Sequence, residues 1–553
     1  MPGGSWGSKS AAVGSMSEFD VCVVGAGPVG LTLALDLAKR GISVALVEKE
    51  LQAGPWPKME RCNSRSMEIY RRLGLHEEIR RHGQPEDGSM SVAIVTSLSD
   101  PPLAWLEYPT VAAMRENIAT TNDGTLPCEP YQVISQYTLE PILRRAVEQC
   151  ANVRTFFGFE FERFVEQADH VSIHCRGLTD VQEIQARYLA GCDGGASSIR
   201  KQLGIELKGR GGIGRMHQVF FRSNELLDRM PIARARHYWF ADAHRSAIIV
   251  QGDGRHFSLH STLPAGSDFA AAVRGLVGYD LDVEILHVGD WTMHLLQAES
   301  YGQGRVWIAG DAAHLVIPTG GLGMNTGVGD AIDLGWKLSA TIQGWGGAGL
   351  MASYEAERRA VGRRNVEASG FAAAGLAIWR NAWQPNIRED SLEGAATRAD
   401  LGRLANVAQR RSHEMNGVEL GYTYAGSPII MSEAEPYPES DFFHYMASAS
   451  PGSRFPHVRL EDGRALQDAL GSGYTLLAFG DADTAPMQRA MTAFGVPFAV
   501  LRLDEPAVRF VAARNLVLLR PDLHVAWRGD SLPDSCEDVV ATVTGRRGPE
   551  LVA

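Results

Sequence analysis

The sequence predicts a mixed α/β and α+β architecture: a doubly wound unit interleaved with an antiparallel-sheet unit, then a small C-terminal α/β unit. Three observations predict it. From Phe19 a short apolar run, a glycine turn, a helical segment and a second apolar run follow one another (FDVCVV, GAGPVG, LTLALDLAKRG, ISVALVE), the pattern of a βαβ unit. From Gln218 to about His294 apolar and polar residues alternate (HYWF, AIIVQG, HFSLHSTL, DVEILHVGDW), the period of an antiparallel sheet with one wet face. Beyond a stretch rich in Pro, Ser, Gly and Asp, the runs TLLAFG, FAVLRL and LVLLR read as short buried strands, with PMQRAMTAF helical after the first.

In chain order, residues 1–17 read as a flexible tail, with Met16 an alternative start; the tail lacks the cationic and apolar regions of a secretory signal. The segments 18–85, 131–215 and 296–350 form the discontinuous doubly wound unit. Within them Ser64 to Leu73 and Thr138 to Glu148 are predicted helices, and RVWIAG (Arg305 to Gly310) a buried strand before a helix from about Thr326 to Ile342. The segments 86–130 and 216–295 supply the second sheet, 351–420 is helical, 421–455 is a linker, and 456–553 is the C-terminal domain. At 553 residues the chain has room for three or four such units.

Composition narrows the function. Hydrophobic residues are 45% and charged residues 21%, as in ordinary globular proteins, and the formal charge of −12 disfavours a nucleic-acid-binding surface. Seven scattered Cys without a C-x-x-C suggest neither a disulfide framework nor a zinc site, and fit a reducing cytoplasm. Three glycines, Pro28 and Asp36 interrupt the apolar stretch from Val21 to Ala38, so no membrane span is expected. Neither H-E-x-x-H nor G-x-x-x-x-G-K-[ST] occurs, which argues against metal hydrolysis and phosphoryl transfer.

Three motifs carry chemistry. Gly25-x-Gly27-x-x-Gly30 lies between a strand and a helix, and Glu48 ends the next strand. Gly25 permits the turn, Gly27 admits a pyrophosphate to the backbone, Gly30 lets helix and strand pack, and Glu48 accepts from an adenosine ribose. A carboxylate there repels a 2′-phosphate, so FAD or NAD suits the site better than NADP. In GRVWIAGDAAHLVIPTGGLGMNTGVGDAIDLGWKL (Gly304 to Leu338), Asp311 follows a buried strand and the Gly320, Gly321, Gly323 loop opens a helix. Asp311 can accept from sugar-alcohol hydroxyls while the helix N-terminus faces an electron-rich ring edge, as in a reduced flavin. Between them GCDGGASSIRKQLGI places Asp193, Gly194, Ser197 and Arg200 at another strand-to-helix turn.

The order of GAGPVG, CDGGASSIR and AGDAAHLVIPTGGLGMNTGVGDA resembles the class A flavoprotein monooxygenases, the para-hydroxybenzoate hydroxylase superfamily. More narrowly it resembles the phenol, chlorophenol and hydroxyphenylpropionate hydroxylases and the polyketide aromatic hydroxylases, with support from NSRSMEIYRRLGL, SQYTLEPILRRA, AESYGQGRV and ELGYTYAGSPI. The resemblance implies a Rossmann-like FAD-binding domain, a substrate-binding sheet domain and a thioredoxin-like C-terminal domain. The last carries no redox motif, because Cys536 is its one Cys, so a packing or dimerisation role is preferred. It also implies that Gly25, Gly27, Pro28, Gly30, Glu48, Lys49, Lys58, Arg65, Gln136, Asp193, Gly194, Asp311, Gly323, Met324 and Asn325 bind cofactor. Two departures stand out. Pro57-Lys58 replaces the usual Pro-Arg, which loses the bidentate fork, and Asp333 stands where Asn is common, read as a change at the helix surface.

The chemistry so implied is FAD-dependent monooxygenation of a phenolic or polycyclic aromatic ring, with NADPH or NADH as donor and O2 as oxidant. It proceeds through a flavin C4a-hydroperoxide in a pocket that excludes water. Pro318 would sit by the reacting face, and Tyr238, Trp239 and Trp291 on the sheet would line the pocket. His237, His260 and His294 are candidate partners for the phenol, each weighed against a structural role, with His294 kept among the pocket candidates; no base is assigned, and His314 reads as structural. The expected partners are a small aromatic substrate and O2, without nucleic acid or membrane, and the family is compatible with a homodimer. The alternatives are a flavin oxidase or dehydrogenase of the same fold, and a non-catalytic flavoprotein used for redox sensing or interaction.

Overall fold

The computed structural model describes residues 18–433 and 440–547. The expected tail over 1–17 lies outside the described residues. The first sheet runs in the order Gly302–Gln303, Val306–Ile308, Val181–Gly191, Glu18–Val24, Val44–Glu48, Val153–Phe157. All of these pairings except the first are parallel. The strands Glu18–Val24 and Val44–Glu48 are continuous apolar runs because helices cover both faces of a parallel sheet. Two further strands, Glu160–Glu166 and Val171–Arg176, fold back antiparallel onto Val181–Gly191.

The helix Pro28–Lys39 starts with proline at its first turn and has Gly27 as N-cap with no side-chain cap. Its first N–H groups therefore remain free for an external acceptor. The turn before it is tight: Gly25 has φ +104, and a Cβ there would lie 2.3 Å from the Cys192 carbonyl oxygen. A Cβ on Gly30 would lie 1.9 Å from the Gly25 oxygen, so glycine at both positions lets three chain segments meet.

The second sheet runs in the order His314–Leu315, Glu284–Ala298, Leu207–Arg222, His256–Ser261, Ala247–Val250, His237–Phe240, Val92–Val95, Ala104–Leu106. It is antiparallel except where His237–Phe240 runs parallel to Val92–Val95. The helix Phe269–Val277, which the alternation over 218–294 did not predict, covers one face. The other face turns toward the first sheet. A long helix, Gly349–Arg380, lies across both units and packs on Gly323–Ile342.

The C-terminal sheet has the order Phe498–Leu503, Tyr474–Phe479, Leu516–Leu519, Val525–Gly529, parallel only in its first pair. The linker expected over 421–455 needs correction in its first part, because Tyr422, Tyr424, Ile429 and Ile430 are buried in one core with Trp336, Tyr474 and Leu476. Their apolar side chains gain more from burial than a solvated spacer would allow; residues 434–439 lie outside the described residues.

Asp333 also corrects the sequence reading. It is buried, not at a helix surface, and accepts from Lys337 Nζ at 2.7 Å and Arg520 Nη2 at 2.9 Å. Arg520, from the C-terminal unit, also bridges Glu357 and Asp522, and Lys337 reaches Glu357 at 2.6 Å. Burial holds the Asp333 carboxyl above its ordinary value, whereas Arg520 and Lys337 overcome burial at Glu357 and hold it below. Among the described residues no helix is long and apolar enough to cross a membrane.

Candidate functional site

A cavity of about 410 Å³ lies between the two large sheets. One wall comes from the glycine motifs: Gly27, Pro28 and Gly30 from the first turn, Cys192 and Gly194 from the second, and Asp311, Gly323, Met324 and Asn325 from the third. The third motif opens the helix Gly323–Ile342, whose N-cap, Leu322, also makes no side-chain cap bond. Two long uncapped helices thus present free N–H groups and positive dipole ends to one cavity, an arrangement suited to anions and electron-rich ring edges.

The wall fits FAD. Apart from its own chain neighbours, no atom comes within 4 Å of where a Cβ on Gly27 would stand, so that position opens onto space a pyrophosphate can take. Glu48 sits at its strand end, where Oε2 accepts from the Ala26 N–H at 2.7 Å and Oε1 from the Glu50 N–H at 3.0 Å. These bonds aim the carboxylate beside the turn and leave lone pairs for a ribose. Asp311 is exposed within the cavity and has no hydrogen-bond partner among the described residues; surrounding protein raises its pKa, with His314 and Lys58 opposing. Gln136 and Lys58 line the same space, and Gln136 donates to Glu140. Pro318 is on the cavity surface.

Several predicted cofactor residues have other work. Arg65 is buried with its guanidinium on Glu68 and the Asp522 carbonyl, so it holds the C-terminal unit and is absent from the cavity wall. Lys49 is exposed beyond the strand end. Asn325 lines the cavity but its side chain is a staple: Oδ1 accepts from the Asn63 N–H at 2.8 Å, and Nδ2 donates to the Arg61 and Gly321 carbonyls. Asp193 Oδ2 caps Ser198–Gln202 through the Ser198 and Ile199 N–H groups, and Arg200 donates to the Gly195 and Ala312 carbonyls. Gly194 alone of that pair reaches the wall.

The opposite wall is the inner face of the second sheet. Gln218 pairs with His260 and Ile249 with Ser258, and these four, with Gln251, point into the cavity. Side chains alternate, so their neighbours Val219, Leu259, Ile248 and Phe257 point outward to the core under Phe269–Val277. Tyr238 pairs with Ile248 and is fully buried in that outer core, its hydroxyl accepting from the Ala235 N–H at 2.7 Å. Its placement in the pocket is therefore corrected by one step of register. Trp239 stacks against Arg380, and Trp291 stands behind His260, nearly edge-on at 6.4 Å, without lining the cavity. His294 is corrected too: its Nδ1 accepts from Gly212 N–H at 3.3 Å beside a bulge in the long ribbon.

Two groups the motifs did not single out sharpen this wall. Glu60 and Arg61, just before the Asn63 turn, line the cavity. Glu60 takes Arg236 Nη2 at 2.5 Å and His237 Nε2 at 2.8 Å; burial opposes its charge, but these partners outweigh burial and hold its carboxyl well below the usual range. His260 is pushed down to about 4 by burial, so its ring is neutral near pH 7. No periodic or glycine signal marks Glu60; only the register of the distant strand His237–Phe240 brings its partners to it. His314 is structural, bonded to Asp330 at 2.8 Å and linked through it to Arg358.

A family model described as an FAD binding domain matches residues 18–369, and one described as the C-terminal part of aromatic-ring hydroxylases matches 448–547. The chain is 31% identical to the FAD-dependent monooxygenase apdD of Emericella nidulans, over 96% of this chain and 91% of that one. It is 30% identical to aklavinone 12-hydroxylase RdmE of Streptomyces purpurascens, over 96% and 98%. Among solved structures, RebC with bound 7-carboxy-K252c superposes with a TM-score of 0.88 at 32% identity, covering 96% of this chain and all of that one. Aklavinone-11 hydroxylase with FAD and aklavinone gives 0.81 at 25% identity, over 96% and 99%.

Proposed function

The chain belongs to the FAD-binding aromatic-ring hydroxylases, and from that premise we propose a single-component NAD(P)H monooxygenase whose substrate is a phenolic or polycyclic aromatic compound. The observation that carries this reading is the cavity itself, with two uncapped helix ends and Asp311 on one wall, Glu48 beside the turn that opens the first helix, and a polar sheet face on the other. FAD, when bound, accepts a hydride from NAD(P)H and activates O2 toward the ring. The chain's residues do the rest. Gly27 admits the pyrophosphate, Glu48 and Asp311 accept from ribose and ribityl hydroxyls, and the N-terminus of Gly323–Ile342 faces the ring edge. Pro318 sits across from the sheet, whose inner face positions the substrate; the two sheets and the loop at Pro57 to Arg61 keep water out.

The relatives' names support an aromatic-ring monooxygenase over an oxidase, a dehydrogenase or a redox-sensing module. Seven unpaired thiols support a cytoplasmic protein, and a homodimer without nucleic-acid or membrane partners accords with the family and the charge of −12. The test is NAD(P)H consumption by the purified yellow protein with and without a panel of phenols and polycyclic quinols, with peroxide assayed alongside. Stimulation with little peroxide supports the reading. Cofactor oxidation that no aromatic stimulates and that yields only peroxide would contradict it.

A further inference from the structure

The sheet side of the cavity holds groups to which no role has yet been given. Glu60 exposes 24% of its side chain, against 5% for each of Arg236 and His237, which hold its oxygens from behind. The carboxylate therefore faces the cavity and the two side chains that hold it do not. Arg61 also lines the cavity, but its guanidinium is committed to Glu419 at 2.7 Å and to the Gly320 carbonyl at 2.9 Å, and both side chains of the pair are buried. His260 makes no hydrogen bond among the described residues, and burial keeps it neutral. Gln218 donates its amide to the Pro57 carbonyl, which leaves its own oxygen as an acceptor. Lys58, the remaining cation of the lining, acts on Asp311 and Glu140 at the cofactor end. Among the described residues the sheet side offers these acceptors and no free cation, its neutral donors being the Ser258 hydroxyl and the one N–H of His260.

Resting on the hydroxylase reading above, we infer that this wall selects an uncharged ring bearing hydroxyl or ring N–H donors, with Glu60 accepting from one donor and His260 from another, and that it rejects ring carboxylates. A hydroxyl gains a charge-assisted hydrogen bond at Glu60. A carboxylate at the same place meets like charge in a partly desolvated site. A ring with neither group leaves polar atoms of the wall unpaired, which is the stronger form of rejection.

The experiment uses the holoenzyme and two matched pairs: 2-naphthol with 2-naphthoate, and 1,8-dihydroxyanthraquinone with anthraquinone-2-carboxylate. Binding is read from the flavin absorbance and turnover from NAD(P)H consumption. The hydroxyl member of each pair is expected to bind at least about tenfold tighter. Glu60→Gln should narrow that ratio to about threefold or less, chiefly by a gain for the carboxylate. Because that variant leaves Arg236 short of a partner, His260→Ala is the second: it should weaken the hydroxyl member about tenfold and leave the carboxylate unmoved. Equal or tighter binding of the carboxylate by the unaltered protein, or binding of neither member, would overturn the inference. The expected preference without ligand-stimulated NAD(P)H consumption would instead sink the hydroxylase reading and leave the selectivity standing.

Discussion

Arg520→Met removes the guanidinium by which the C-terminal unit bonds Asp333 and Glu357 in the charge cluster beneath the helix Gly323–Ile342. The guanidinium makes bonds of 2.6 and 2.9 Å to Glu357, 2.9 Å to Asp333, and 2.7 and 3.1 Å to Asp522. All of these residues are buried, so solvent cannot screen what is left. Without Arg520, Lys337 is the one Lys or Arg among the described residues bonded to Asp333 or Glu357, and Asp522 keeps only His524, whose ring is neutral. Breaking a buried ion pair from one side costs about 3 to 5 kcal/mol, which is roughly a 10² to 10⁴-fold fall in the folded-to-unfolded ratio. The assay is calorimetry of the holoenzyme, with flavin fluorescence recording cofactor release in the same temperature range. Release should accompany the first transition, because the damaged helix is the one whose N-terminus lines the cavity. Adding Asp522→Asn removes one uncompensated carboxylate and should recover at least about 1 kcal/mol. A loss below about 1 kcal/mol, the value of an exposed pair, would refute the claim that this cluster ties the C-terminal unit to the cofactor wall.

Three other outcomes are expected. Gly27→Val should fold normally, since a Cβ there touches nothing within 4 Å apart from its own chain neighbours, yet purify without flavin because the branch fills the pyrophosphate space; a yellow, fully loaded variant would contradict this. Glu48→Ala should weaken FAD binding about tenfold or more, from the loss of charge-assisted bonds of about 1.5 to 3 kcal/mol, and unchanged affinity in a fluorescence titration would overturn the assignment. His457 and His524, held down to about 4 by burial, are neutral when folded and titrate near 6.5 when unfolded. The unfolded chain therefore binds more protons between those values, and stability should fall with pH below 6.5 by about 1.4 kcal/mol per unit for each group; His524→Gln should reduce the slope of a denaturation series by that amount.

The cofactor wall was legible in the sequence because glycine positions are read from backbone necessity. Gly25 and Gly30 stand where any Cβ would strike a carbonyl, and Gly27 stands where one would enter the cavity. The sheet wall was not legible. Alternation announces a sheet but leaves its register free, and one step of register decides whether Tyr238 or His237 faces inward. Glu60 acquires its meaning from Arg236 and His237, some 176 residues away in sequence, a pairing that no local pattern encodes. Asp333 misled for a related reason: an acid on a helix reads as solvent-facing until its buried partners, here Lys337 and Arg520, are known. Arg65 and Asn325 belong to the right motif, but their side chains brace the wall rather than present to the ligand.

The central claim is oxygen transfer to an aromatic ring in the cavity between the two sheets. The most direct test is a turnover under isotopically labelled O2 with the phenol or quinol that best stimulates NAD(P)H consumption, followed by mass spectrometry of the product. The account predicts one labelled oxygen atom in the ring-hydroxylated product, with cofactor consumed in equal amount. A product without label, or label recovered only as peroxide, would contradict it.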